Sequence, residues 1–129
     1  MKRGAVVVLG LFLAVCFAGL VFAADKEAIK SQVDEIAVAL EGGKKAEDFA
    51  DAANREPYYV FIMKEDGHLL VHPSLSGESL KEKAEPVYAE VSKATPEGNW
   101  VEYEWGGSQK HTYVRKTNDG LIVGSGYSD

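Results

Sequence analysis

Three runs of strand-forming residues near the end of the sequence place the strongest constraint on the fold. They cover residues 100–105, 110–116 and 121–127, and each is rich in aromatic and β-branched residues. The dipeptide Gly106-Gly107 separates the first two runs, and Asn118-Asp119-Gly120 separates the last two. Because turns this short join antiparallel neighbours, the pattern predicts a three-stranded antiparallel meander.

A second group of strand residues precedes the meander. Residues 58–63 are mainly aromatic or β-branched on both faces, Asp66-Gly67 supplies a tight turn, and residues 69–71 return. The second strand ends at His72-Pro73, because proline cannot donate a hydrogen bond to a strand ladder. These residues predict a hairpin whose first strand is buried.

Helical periodicity occurs before the hairpin and between the hairpin and the meander. Between residues 25 and 40, apolar residues recur on one stripe of a helix at Ile29, Val33, Ile36 and Leu40. This stripe packs either on the domain's own core or in a short dimer seam, since the same spacing occurs in coiled coils. Shorter helices are predicted for residues 46–54 and 80–94, and Pro86 disturbs the second of these.

The order of these elements predicts the fold class. Helices, a hairpin, another helix and three strands indicate an α+β domain with a five-stranded antiparallel sheet. The N-terminal helix and one connecting helix are expected to pack on one face of that sheet.

The first 23 residues have the pattern of a secretory signal peptide. Lys2 and Arg3 precede an apolar run over residues 5–20, and Ala23, with Val21 at the minus-three position, fits a cleavage site. Cleavage would leave a mature domain at residues 24–129 in the periplasm or outside the cell. The alternative is an uncleaved N-terminal helix that anchors the protein, because the apolar run is about long enough to span a bilayer.

Composition and motifs exclude several classes of function. The formal charge is −6 and no block of Lys or Arg occurs beyond residue 3, so no nucleic-acid partner is expected. The only cysteine, Cys16, lies in the apolar leader, so the mature domain forms no disulfide. The segment Gly124-Ser125-Gly126 lacks the spacing of a nucleophile elbow, and Gly106-Gly107 does not open a helix. The sequence therefore predicts no enzymatic activity.

The three histidines are the natural candidates for metal ligands. On an extended strand His68 and His72 lie roughly 13 Å apart, whereas zinc ligands all lie within roughly 2 Å of the ion. Adding His111 from another strand does not remove that difficulty. Neither a metal nor another cofactor is therefore expected.

The strand segments together carry a resemblance to a known family. They read YYVFIMKEDGHLLVHPSLSGESL, GNWVEYEW and KHTYVRKTNDGLIVGSGY. In order and spacing they are similar to the single Cache domain, a PAS-like extracytoplasmic ligand-binding module of bacterial chemoreceptors and sensor kinases. The resemblance covers about residues 25–128. It implies a PAS-like sheet and a pocket between sheet and helices for a small molecule, often a short organic acid.

The end of the sequence bears on how such a module would signal. Cache receptors usually continue into a second membrane helix and a cytoplasmic output module, whereas this sequence ends two residues after Tyr127. A sensory module that acts in trans, through a membrane receptor or kinase, is therefore expected. The alternative is a degenerate Cache-like interaction module whose pocket is filled by its own aromatic residues. Such a module would dock on a membrane partner through the apolar stripe of the first helix.

Strand alternation indicates which side chains of the third strand face a pocket. Glu102 and Glu104 share one face and mark the solvent side. Tyr103 and Trp105 therefore point inward, where each offers an apolar wall with a polar group.

The next strand supplies a cation, but alternation leaves its identity open. Lys110 and Arg115 lie on opposite faces, so at most one can provide the charge-assisted donor that a buried carboxylate requires. For Tyr113 the alternative to ligand contact is core packing, and for His72 it is a strand-end histidine bonded to a loop carbonyl. The predicted ligand contacts are His72, Tyr103, Trp105, Lys110, Tyr113 and Arg115.

Overall fold

The computed structural model describes residues 24–129, and the predicted signal peptide lies outside the described residues. The elements are α1 (Lys26–Glu41), a 3₁₀ helix (Ala46–Asn54), β1 (Val60–Lys64), β2 (Leu69–Val71), α2 (Leu80–Lys83), α3 (Glu85–Val91), β3 (Asn99–Trp105), β4 (Ser108–Lys116) and β5 (Leu121–Ser128). Among residues 24–129, no helix is both long and apolar enough to cross a membrane.

The strands form one antiparallel sheet in the order β2-β1-β5-β4-β3. The hairpin and the three-stranded meander are both present, as predicted. The two are joined by β1 and β5, where Ile62 lies opposite Val123. The last strand of the chain is therefore the central strand, and the predicted α+β class with five antiparallel strands is confirmed.

Helices cover both faces of the sheet, which corrects the expectation that they pack on one face. On β1, Val60 and Ile62 belong to a core with α1 and the 3₁₀ helix. Phe61 and Met63 belong to a second core with α2 and α3. All four are less than 5% exposed, which explains why this strand is apolar on both faces.

Helix α1 packs with its apolar stripe on the sheet. Asp25 caps its first turn by accepting a 3.0 Å hydrogen bond from the Ala28 N–H, a group that has no partner within the helix. The stripe residues Ile29, Val33, Ile36 and Leu40 are at most 3% exposed. Because the domain's own core covers them, these four residues cannot also form a dimer seam or dock on a membrane partner.

The predicted helix over residues 80–94 is divided into α2 and α3. Pro86 lies in the first turn of α3, where its missing N–H costs no hydrogen bond within the helix. The two short helices bury Leu80, Val87 and Val91 against the sheet. They form one wall of the candidate site.

Candidate ligand-binding site

A small cavity lies between the sheet and helices α2 and α3. Its volume is about 10 Å³, roughly the space that one water molecule needs. It is lined by Tyr59, Phe61, Leu69, His72, Leu80, Val87, Val91, Tyr103 and Trp105. A ligand larger than water must therefore displace some of these side chains.

Four of the six predicted contact residues lie on this side of the sheet. His72, Tyr103 and Trp105 line the cavity itself, and Tyr103 is buried as alternation predicts. Lys110 lies opposite Tyr103 in the β3–β4 ladder. Its ammonium donates a 2.6 Å hydrogen bond to the hydroxyl of Tyr59, so it adjoins the cavity wall.

Tyr113 and Arg115 lie on the opposite face of the sheet, against α1. The Tyr113 hydroxyl donates to Asp34 Oδ1 at 3.1 Å, and Arg115 Nη1 donates to the same oxygen at 3.1 Å. The structure therefore does not bring these two residues to the cavity with the other four. Of the two cations that alternation left open, Lys110 is the one on the cavity side.

Lys110 is a buried cation without an anionic partner among the residues that the structure describes. Its side chain belongs to a residue that is 5% exposed, and its ammonium lies 4.2 Å from the centroid of the Tyr59 ring. No carboxylate within residues 24–129 forms an ion pair with it. Burial lowers the pKa of Lys110 to about 8, so most molecules still carry the charge at pH 7.

A surface depression opens beside Lys110. Its volume is about 320 Å³, and it is lined by Pro57, Tyr58, Tyr59, Lys110, Gly126, Tyr127 and Ser128. Tyr59 lines both the depression and the small cavity. An anion can therefore reach the neighbourhood of Lys110 from solvent.

His72 connects the cavity to the loop that follows β2. Its Nδ1 accepts hydrogen bonds from the backbone N–H groups of Ser74 and Leu75, each at 3.0 Å. The partner is thus a pair of loop N–H groups, not the loop carbonyl considered from the sequence. Burial, and next the positive charge of Lys110, lower the pKa of His72 to about 4. The imidazole is therefore neutral at physiological pH.

Tyr103 contributes a neutral hydroxyl. It accepts a 3.0 Å hydrogen bond from Thr112 Oγ1, which leaves its own O–H free to donate. Burial raises the pKa of Tyr103 to about 12 against the opposing effect of the Thr112 hydrogen bond. The site therefore combines one cation with neutral donors and aromatic walls.

Tyr59 and Phe61 are cavity residues that the sequence reasoning missed. Alternation within residues 58–63 places both on one side of the extended segment that runs into β1, and that signal could have paired them with Tyr103. It could not show that this face, and not the other one, is the face that borders a cavity.

The other residues that the sequence offered for catalysis or metal binding are a serine and two histidines outside the cavity. The Ser125 hydroxyl donates to the Tyr59 carbonyl at 2.7 Å and accepts from Gln32 Nε2 at 2.9 Å. His68 is exposed on the hairpin, and His111 stacks on Tyr127 on the α1 face. Across residues 24–129 no three potential metal ligands come together.

Comparisons with known proteins identify the fold. No protein-family model and no curated protein matches the sequence. A methyl-accepting chemotaxis protein from Vibrio parahaemolyticus RIMD 2210633 is similar in structure, with a TM-score of 0.56 and 17% identity over 80% of this chain and 87% of that one. The ligand binding domain of Mlp24 with asparagine gives a TM-score of 0.45 and 15% identity over 66% of this chain and 35% of that one. The first likeness shows that the chain shares the fold of this protein, the PAS-like fold that the resemblance implied.

Proposed function

We propose that residues 24–129 form an extracytoplasmic sensory module that binds a small anion of the short organic acid class. The observation that carries this proposal is the buried ammonium of Lys110, which adjoins an aromatic cavity and has no carboxylate partner among the described residues. Taking an ammonium out of water costs several kcal/mol unless an anion compensates it. A carboxylate ligand would supply that compensation.

The groups around Lys110 suit a short carboxylate in other respects as well. Tyr59 and Tyr103 add hydroxyl groups, and Trp105 adds an apolar wall. A carboxylate accepts charge-assisted hydrogen bonds, which are stronger than those between neutral groups. Pockets of this kind, mostly apolar with a few convergent polar groups, are typical of small-molecule sites.

The size of the cavity restricts the ligand. At about 10 Å³ the cavity does not admit even acetate without movement of its lining. Tyr59 lines both this space and the depression of about 320 Å³, and we propose that displacement of its ring joins the two. The proposed ligand is therefore short and enters beside Lys110.

The same proposal includes a sensory role and the way in which the signal is passed on. A chemotaxis protein shares this fold, which supports a role in signal transduction and not in catalysis. We propose that the module acts in trans, through a membrane receptor or kinase, after export to the periplasm.

A second candidate function is a Cache-like interaction module with a filled pocket. The small volume of the cavity favours it, because aromatic and aliphatic side chains already occupy the space between sheet and helices. Its docking surface must lie elsewhere than the apolar stripe of α1, which is buried.

Ligand screening distinguishes the two candidates. Thermal unfolding of the exported protein should be measured with formate, acetate, propionate, lactate and succinate, and with amino acids as a separate arm. A ligand that binds only the folded state raises the melting temperature. The sensory proposal predicts that at least one carboxylate does so, whereas the filled-pocket candidate predicts no shift from either arm.

Variants locate the site once a carboxylate binds. Lys110→Met should weaken its binding by about tenfold or more, since a hydrogen bond to a charged group contributes about 1.5–3 kcal/mol. Arg115→Met, on the other face, is the matched control and should leave the affinity unchanged. Equal affinity of wild type and Lys110→Met would place the site elsewhere.

A further inference from the structure

The turn that follows β2 is built on His72. Besides the two hydrogen bonds to Nδ1, the His72 N–H donates to Ser76 Oγ at 2.9 Å, and that hydroxyl donates back to the His72 carbonyl at 3.0 Å. One residue thus organises the backbone of residues 72–76 through its side chain, its N–H and its carbonyl. The orientation of the imidazole is fixed by the same contacts.

These contacts also determine where the imidazole carries its proton. The N–H groups of Ser74 and Leu75 can only donate, so Nδ1 of His72 must present its lone pair. In a neutral imidazole the proton then resides on Nε2. Within residues 24–129, Nε2 takes part in no hydrogen bond with another residue.

The rest of the ring belongs to the cavity wall. The imidazole lies edge-on to the rings of Tyr59 and Trp105, with centroids 5.8 and 6.0 Å apart, and 6.5 Å from the ring of Phe61. These aromatic side chains line the cavity together with His72. The imidazole is therefore held among aromatic rings that line the space a ligand would enter.

We propose that His72 determines the specificity of the site as a hydrogen-bond donor whose tautomer is fixed by the turn. This inference rests on the proposed function and names the chemistry that the ligand must present. Together with the ammonium of Lys110, the Nε2–H offers a second donor, so the ligand must carry acceptor atoms toward both. A carboxylate meets that requirement with its two oxygens.

The fixed tautomer also rejects other ligands. A histidine that is free to exchange its proton can accept from a ligand N–H or O–H as readily as it donates. Here that exchange would leave the N–H groups of Ser74 and Leu75 without an acceptor. A ligand that presents a donor to Nε2 leaves two donors facing each other, an arrangement that discriminates strongly.

Two substitutions distinguish the role of His72 as an acceptor in the turn from its role as a donor to the ligand. The carboxamide oxygen of His72→Asn lies near the position of Nδ1, so this variant keeps the acceptor for the turn. Its NH₂ group falls near the position of Cδ2, so the variant loses the donor at the Nε2 position. The carboxamide nitrogen of His72→Gln reaches the position of Nε2, so this variant keeps a donor and loses the acceptor. His68→Asn, at an exposed histidine of the same hairpin, is the control.

The readouts are amide hydrogen exchange of Ser74 and Leu75 and the affinity for propionate by calorimetry, in the full exported protein. His72→Asn should retain amide protection and bind propionate at least tenfold more weakly. His72→Gln should lose protection and keep an affinity within about threefold of wild type. Nitrogen-15 spectra of the wild-type imidazole should show the proton on Nε2 before any ligand is added.

Three results would overturn the inference. One is an imidazole protonated on Nδ1, and another is propionate binding that is unchanged in His72→Asn while wild type binds; both leave the proposed function intact. The third is a wild-type protein that binds none of the carboxylates, which removes the proposed function together with this inference.

Discussion

Arg115 and Asp34 form an ion pair of 3.1 Å that joins β4 to α1 across one face of the sheet. The hydroxyl of Tyr113 donates to the same carboxylate oxygen, and Lys30 pairs with the other one at 2.9 Å. Two residues that the sequence placed among the ligand contacts thus hold the first helix on the sheet.

Asp34→Asn should therefore destabilise the domain. The substitution weakens hydrogen bonds from two cations and leaves Arg115 without its counter-ion, so we expect a loss of about 1–2 kcal/mol in the free energy of unfolding. Urea unfolding followed by circular dichroism measures it. Glu90→Gln, which removes the exposed pair with Lys93, is the control and should change stability by less than about 0.5 kcal/mol.

The pH dependence of that loss follows from the pKa of Asp34. Burial raises this pKa, but the hydrogen bonds from Lys30, Arg115 and Tyr113 outweigh burial and hold it below its usual value. A carboxyl group whose pKa is lowered in the folded protein contributes its full stabilisation above the unfolded pKa of about 3.9. That contribution is lost as the pH falls through the folded pKa. The difference between wild type and Asp34→Asn should shrink in that acid range, and a constant difference down to pH 2 would contradict it.

Lys110→Met should stabilise the protein while it weakens ligand binding by about tenfold or more. The pKa of Lys110 is lowered to about 8 because burial disfavours the ammonium, so replacing the charge by an apolar chain of similar length should raise the free energy of unfolding by about 1–3 kcal/mol at pH 7. The free energy of unfolding of wild type should approach that of the variant as the pH rises through about 8 toward 10.4, because a neutral amine no longer carries the cost of burying a charge. Lys93→Met, at an exposed lysine, should show neither effect. Lower stability of Lys110→Met would mean that the Tyr59 hydrogen bond outweighs the cost of burial.

The two faces of the sheet should respond differently to loss of a tyrosine hydroxyl. Tyr113→Phe removes hydrogen bonds to Asp34 and to the Glu97 carbonyl, so it should cost about 1 kcal/mol of stability and leave the affinity for propionate unchanged. Tyr103→Phe removes a hydroxyl at the cavity and should weaken binding about fivefold. Calorimetry on both variants provides the comparison. A weaker affinity for propionate in Tyr113→Phe would mean that Tyr113 contacts the ligand.

Acid should open the turn after β2. The fold favours neutral His72, so its stabilising effect is full above about pH 6.5 and is lost as the pH falls toward about 4. The positive charge of Lys110 opposes protonation of the imidazole, and burial raises the pKa values of Tyr59 and Tyr103 and so keeps their hydroxyls neutral. The backbone amide resonances of Ser74 and Leu75 should titrate near pH 4 in wild type. The same resonances should not titrate there in His72→Asn.

Export should remove the leader. The sequence predicts cleavage after Ala23, so mass spectrometry of the periplasmic fraction should find a chain that begins at Ala24. Recovery of the full-length chain in the membrane fraction alone would support the anchored alternative. Ala23→Phe, which places a bulky residue at the cleavage position, should shift the protein to that fraction.

Local patterns in the sequence determined the elements and their short connections. The 3.6-residue period of the Ile29–Leu40 stripe identified α1, and tight turns such as Asp66-Gly67 identified neighbours that must pair antiparallel. Alternation likewise separated Tyr103 from Glu102 and Lys110 from Arg115. Each of these features depends on residues within a few positions of one another, so the chain's own geometry decides it.

Tertiary structure decided which face of the sheet carries the site. The pairing of Ile62 with Val123 brings together residues far apart in the chain, and no local pattern specifies it. Alternation could say that Lys110 and Arg115 face opposite ways, but not that α1 would bring Asp34 to one of them while the other meets Tyr59. Those partners come from helices and strands packed from distant parts of the sequence, because burial of apolar area on both faces, not local geometry, sets where each helix lies.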